Sequence, residues 1–279
     1  MQNSIQISVS GNFSLHKTLL CGQIFRVFEI ENGFIVPFNR SLLKLLQKKN
    51  KIHCISYGKS VSQAEVKKFL GINDDIDSIN GALTRKEAKF SQIIQYGKGL
   101  RIMRQNPYET TISFLFSIQS SIPVIKRRLN LLSEMVGEKI RVDGTMYYFF
   151  PGSEALRNLD VQSVKKLHLG FREKWFVDFV QNYDETFFSH ILKKSFEEKE
   201  KKLLGIKGVG KKVAHCILLF SMSELSAFPV DVWIKRGMYE LFEVKGSSKK
   251  ITETGRGMFG KYAGYAQEYL FYYLRNYSK

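Results

Sequence analysis

The stretch that most restricts what this chain can fold into is Leu203–Asp231. Three glycines, Gly205, Gly208 and Gly210, fall within six residues and separate two apolar stretches. A loop as short and glycine-rich as Ile206-Lys207-Gly208-Val209-Gly210 reads as a tight turn that lets the backbone approach something bulky. After it, Val213, Ala214, Ile217 and Leu218 recur at helical spacing. The loop therefore delivers bare N–H groups to a helix N-terminus, a setting that accepts an anion such as a phosphate. A helical corner without a ligand has the same glycine pattern, so the loop alone leaves both readings open. Lys212 lies in the first turn of the second helix, and Asp231 follows Pro229-Val230. The proline cannot continue a helix, and the aspartate is suited to cap the next one. A helix plus a return loop would bring that carboxylate back near the lysine.

Charge narrows the partner. Lys+Arg number 43 against 26 Asp+Glu, a formal net charge of +17 over 279 residues. Such a balance points to a polyanion, most simply nucleic acid, although a lysine-rich surface also serves solubility. A hydrophobic content of 44%, with 13% aromatic, excludes a disordered chain and supports a sizeable core in two or three subdomains. The three cysteines, Cys21, Cys54 and Cys216, form no C-x2-C pair. A zinc ribbon or a four-cysteine iron–sulfur cluster is thereby excluded on ligand count, and the few thiols fit a reducing compartment. The N-terminal segment lacks a signal-peptide pattern, and no apolar run is long enough to span a membrane.

The pattern changes along the chain. Up to about residue 95 short runs alternate. Ile5–Val9, Phe25–Ile30, Phe34–Phe38 and Ile52–Tyr57 read as strands, with Glu31-Asn32-Gly33 as a hairpin turn and Ser62–Leu70 as a helix capped by Ser62. From about Ala88 the pattern becomes helical, apart from loops expected near 137–152 and 244–258. The expected class is α+β: a small antiparallel sheet domain with helices over 1–95, then a mainly α-helical body over 96–279 carrying the helix–loop–helix at 203–231.

Several segments of the body carry unusual residues. Asn106 and Pro107 open a helix. It ends in the uncharged polar cluster Gln119-Ser120-Ser121, otherwise simply a polar helix junction. Lys126-Arg127-Arg128 reads as a solvated basic face. Gly170 suits the left-handed end of a helix, which would set Phe171 and Arg172 at an exposed corner, an apolar wedge beside a cation. Taken alone, Phe171 reads more readily as a core residue. Near the C-terminus Gln267 and Phe271 share one helix face, an amide beside a ring, within what could also be a tyrosine-rich packing helix.

Taken together, Cys21–Arg26, Asn106–Ile122, Leu169–Arg172, Lys207–Asp231 and Tyr262–Phe271 resemble the 8-oxoguanine DNA glycosylase/lyase family of the helix–hairpin–helix, Gly/Pro…Asp superfamily, in the same order along nearly the whole chain. The resemblance implies a bifunctional base-excision repair enzyme acting on double-stranded DNA that contains 8-oxoguanine, flipping the damaged nucleotide into a pocket. It implies Lys212 as the nucleophile on the sugar C1′, working as the neutral amine, and Asp231 as the group that stabilises the developing charge. It assigns the Gly22 carbonyl to the N7–H that 8-oxoguanine has and guanine lacks, Phe271 and Cys216 to the two faces of the base, and Gln267 to its Watson–Crick edge. Cys216 lies four residues past Lys212 on the same helix face, which independently favours its pocket position. Phe171, Arg172 and Gln119 are implied at the orphaned cytosine. Lys207 and the amides of Gly208 and Gly210 are implied at a phosphate, with a bridging cation when DNA is bound and no cofactor required. A monomer without membrane attachment is expected, cytoplasmic and nucleoid-associated in a bacterium, nuclear in a eukaryote.

Departures from the family pattern matter. Gln119-Ser120-Ser121 stands where eukaryotic members carry an asparagine triplet, and Val124 aligns with a second cytosine-reading arginine. Phe171 stands where the wedge is usually tyrosine, and Trp233 where a histidine meets a phosphate. A bacterial-type member with relaxed opposite-base discrimination is expected. A hydrolytic glycosylase for alkylated purines fits less well because such enzymes usually lack the lysine. A DNA-binding module without catalysis would need neither Lys212 with Asp231 nor Gln267 with Phe271.

Overall fold

The computed structural model of the chain describes residues 2–10 and 12–277. Five N-terminal strands, β1 (Gln2–Ser8), β2 (Phe28–Ile30), β3 (Gly33–Phe38), β4 (Ser41–Lys48) and β5 (Lys51–Gly58), form one antiparallel sheet in the order β1-β5-β4-β3-β2. Tight two-residue turns join β2 through β5. Ile30 faces Gly33, Phe38 faces Ser41 and Lys48 faces Lys51, with Asn32, Asn39, Arg40 and Lys49 taking positive φ in the loops. Loops of this kind match the twist of the strands they connect.

The central strand β4 is absent from the sequence reading. Its Ser-Leu-Leu-Lys-Leu-Leu-Gln-Lys pattern has leucines on both faces, because both faces of the sheet are covered. Leu43 and Leu45 pack with Ile7, Val36, Ile52, Cys54, Val66 and Phe69. Leu42 packs on the other side with Ile35, Val142 and Tyr147. Those last two residues come from β6 (Lys139–Val142) and β7 (Thr145–Tyr148), a hairpin within the stretch expected as loop. Helix Ser248–Phe259 likewise replaces the loop expected near 244–258. The strand expected from Phe25 begins only at Phe28. Phe25 and Arg26 turn into the helical body, where Phe25 meets Phe114 at 5.4 Å and Arg26 pairs with Glu109 at 3.7 Å. The helix over Gln63–Phe69 has the expected Ser62 cap, completed into a capping box by Glu65.

The change of core lies nearer residue 72 than the pattern change at 95. Ile76, Ile79, Leu83, Phe90 and Ile93 pack into the helical body, whereas Ile72 lies against the sheet core. At the centre of the body runs helix Lys211–Ser221, in which every residue from Val213 to Ser221 is buried. It lies against helix Pro107–Ser117 and, through Gly264, against the C-terminal helix Ala263–Tyr277. A Cβ at Gly264 would fall 2.2 Å from the Leu219 side chain, so the close approach requires glycine there.

Candidate active site

The hairpin forms because each of its ends has a local stop or start signal. Helix Phe196–Leu204 is opened by a Ser195–Glu198 capping box and closed at Gly205. Helix Lys211–Ser221 begins at Gly210 with no side chain capping it, and no heavy atom lies within 4 Å of the position a Cβ on Gly210 would take. Its first amides are thus free of side-chain caps, with the dipole's positive end beside them. Gly208 has φ +84, and a Cβ there would meet the Trp175 ring at 2.6 Å. The indole seats the hairpin, and it stands edge-on to Phe171 at 5.1 Å.

Lys212 points from the first helical turn across the face of Phe114, 5.1 Å from the ring centroid. Asp231 caps the next helix, its Oδ1 accepting from the Ile234 N–H at 2.9 Å. The return loop that carries it is tied to the lysine's helix by His215, whose Nδ1 accepts from the Phe228 N–H at 2.9 Å. That bond leaves Nε2–H to donate to Glu200 at 2.7 Å, so the buried ring is neutral. Burial lowers the His215 pKa, against the opposing pull of Glu200.

Both groups line one cleft of about 850 Å³ together with Gly22, Cys216, Gln267, Phe271, Gln119, Gly208 and Gly210. Its walls are largely apolar, with Phe25, Ile122, Val213 and Phe220. Gly22 has φ +114, and a Cβ there would meet Phe271 at 3.3 Å and the Arg275 guanidinium at 3.1 Å. Gln23 fixes this turn: its buried amide donates to the carbonyls of Thr18 at 2.9 Å and Arg101 at 2.7 Å and accepts from the Met103 N–H at 2.8 Å. Burial pushes the Cys216 thiol up to about 11, despite the neighbouring Lys212 ammonium, so it lies in the wall as a neutral thiol. Gln267 is 4% exposed, and its Oε1 has no hydrogen-bond partner among the described residues.

Three of the expected site residues, Phe171, Arg172 and Lys207, lie outside the cleft lining. Phe171 is 49% exposed, a surface ring rather than core. Arg172 departs from the exposed corner expected for it and is 7% exposed. Its guanidinium donates to the carbonyls of Ile118 at 2.6 Å, Leu169 at 2.5 Å and Gln119 at 3.2 Å, and to Ser120 Oγ at 3.1 Å. The short turn after Gly170 swings the side chain under the Gln119 loop, where it meets the loop's carbonyls. Arg128 also leaves the solvated face expected for it and donates to Ser120 Oγ at 2.9 Å and the His168 carbonyl at 2.5 Å. Gln119 itself is exposed with φ +47, a left-handed position. Lys207 is paired with Asp178 at 3.1 Å. Trp233, half-buried, lines the cleft beside Val232, which is 77% exposed.

The sequence reading missed Trp175, His215 and Glu268. Trp175, four residues after Phe171, carried a weak signal as an aromatic beside the expected wedge. His215 and Glu268 carried a stronger one, each a titratable group within a largely apolar helix.

Comparison with known proteins bears on the fold and the family. Residues 4–111 match the family described as 8-oxoguanine DNA glycosylase, N-terminal domain. The apo 8-oxoguanine glycosylase/lyase of Clostridium acetobutylicum superposes with a TM-score of 0.90 at 32% identity, covering 97% of this chain and 96% of that one. The same enzyme bound to double-stranded DNA with cytosine opposite 8-oxoguanine gives 0.90 at 31% identity, over 100% and 99%. An N-glycosylase/DNA lyase of Arabidopsis thaliana is 28% identical over 234 residues, 79% of this chain, which spans 64% of the plant protein's length. The chain belongs to the 8-oxoguanine DNA glycosylase family.

Proposed function

We propose that this protein removes 8-oxoguanine from duplex DNA in base-excision repair and then nicks the strand at the resulting abasic site. The observation that carries this reading is the meeting of Lys212 and Asp231 in one cleft with Gly22, Cys216, Gln267 and Phe271. Lys212 Nζ, as the free amine, attacks C1′ of the flipped nucleotide, and the bond from C1′ to the base nitrogen breaks. Ring opening of the sugar gives a Schiff base on Lys212. Loss of the C2′ proton then expels the 3′-phosphate by β-elimination. Asp231, held by its capping bond, stabilises the cationic sugar.

The Gly22 carbonyl accepts the lesion's N7–H, and a pocket built for that donor rejects guanine, which lacks it. Phe271 and Cys216 sandwich the base, and Gln267 bonds its Watson–Crick edge. Phe171 enters the stack as a wedge while Gln119 fills the vacated space. The hairpin amides of Gly208 and Gly210, with Lys207, hold a backbone phosphate, bridged by a cation when DNA is bound. Arg172 reads the orphaned cytosine after giving up bonds to the Gln119 loop. With Val124 offering no second guanidinium, opposite-base discrimination is relaxed. The protein acts as a monomer, in the compartment that holds the genome.

Borohydride trapping on duplexes with 8-oxoguanine opposite each normal base tests this reading. A covalent adduct with the native protein, absent in Lys212→Gln and formed with all four opposite bases, is expected. Intact binding without an adduct would leave a hydrolytic glycosylase or a plain DNA-binding protein. An adduct confined to cytosine would overturn the Val124 argument alone.

A further inference from the structure

One carboxyl group of the cleft has no part in the chemistry above. Glu268 follows Gln267 on the C-terminal helix, is 2% exposed and lines the same cleft. Its Oε1 is buried with no hydrogen-bond partner among the described residues, as is the Gln267 Oε1 beside it. Arg275, farther along the same helix, spends a donor on the Cys21 carbonyl at 3.2 Å. The carboxyl also meets the Cys21 thiol, but a buried oxygen left without a partner is costly unless a ligand completes it.

We propose that Glu268 is a specificity-determining residue of the base pocket, donating its carboxylic O–H to O8 of the flipped 8-oxoguanine. This rests on the cleft being the base pocket. O8 is the carbonyl oxygen that guanine lacks, so a neutral acid complements it, whereas a carboxylate would set lone pairs against lone pairs. Burial is the main cause that lifts the Glu268 pKa to about 7. Groups facing it from every side set the balance: the Cys21 thiol and Arg275 lower it, and Asp231 raises it. The neutral Cys216 thiol, with Lys212 beside it, faces it from helix Lys211–Ser221. Both protonation states are therefore populated near neutral pH, and the donor is lost as pH rises.

The test uses Lys212→Gln protein, so that binding is measured without chemistry. Affinity for an 8-oxoguanine duplex and for the undamaged duplex is measured at constant ionic strength. The preference for the lesion is expected to fall about tenfold from about pH 6 to about pH 8.5, and to stay flat when Glu268→Gln is added, since the amide keeps a donor at every pH. Glu268→Met, which has no donor, is expected to be flat at the lower level. The same pH dependence with and without Glu268, or a Glu268→Met preference equal to that of the parent at low pH, would overturn the proposal. No preference for the lesion at any pH would overturn the base-pocket reading itself, and thermal melts of each variant separate both results from misfolding.

Discussion

A single side chain at this site can serve both folding and the proposed chemistry, and Asp231 lets the two be separated. Its Oδ1 accepts from the Ile234 N–H at 2.9 Å, which an asparagine oxygen can reproduce. Asp231→Asn is therefore expected to unfold in denaturant close to the native midpoint, whereas Asp231→Ala loses about 1 kcal/mol with the cap. Both should lose base release in single-turnover assays, because neither leaves a negative charge beside the sugar. A native rate in Asp231→Asn would confine the residue to capping. Arg172 illustrates the same double duty. Three of its hydrogen bonds hold the loop around Gln119, so its loss frees that loop as well as any contact to DNA.

At the scale of elements, helix Lys211–Ser221 is tied to the loop before Asp231 by His215. The ring serves as acceptor for Phe228 and donor to Glu200, so it holds the loop only while neutral. Its folded pKa is lowered by burial, so the unfolded chain takes up the proton more readily. The stability it contributes is complete above the unfolded value of about 6.5 and is lost as pH falls below it, by up to about 1.4 kcal/mol per pH unit. Denaturation in urea at about pH 7.5 and about pH 5.5 should show this loss, and His215→Gln should reduce it. Equal losses in the two proteins would show that other groups carry the acid sensitivity.

Across the whole molecule, the sheet and the helical body share surfaces. The β6–β7 hairpin, inserted within the body, covers the sheet face of Ile35 and Leu42 with Val142 and Tyr147, and Asp143 accepts from Lys44 at 2.5 Å and Tyr57 at 3.2 Å. Arg26, buried, donates to the Tyr148 carbonyl at 2.6 Å. Tyr147→Ala is expected to cost about 3 kcal/mol by opening this seam, read as a lower denaturant midpoint. A change under about 0.5 kcal/mol would mean that the hairpin merely rests on the sheet. With a formal net charge of +17, DNA binding should weaken steeply with added salt, which reports the phosphate contacts and not the chemistry.

Local chemistry decided much of this protein. Glycine spacing, caps and apolar period located the hairpin, Lys212, Asp231 and the Gln267–Phe271 face, because those features depend on residues near in sequence. Strand β4 and hairpin β6–β7 escaped such reading, since a doubly covered strand loses its alternation and a short hairpin is stabilised by what it covers. Only the tertiary structure turned Arg172 inward, set His215 against Phe228 and buried the Glu268 Oε1 without a partner among the described residues. Each of these outcomes depends on which distant backbone group meets the side chain, and sequence periodicity carries no record of that.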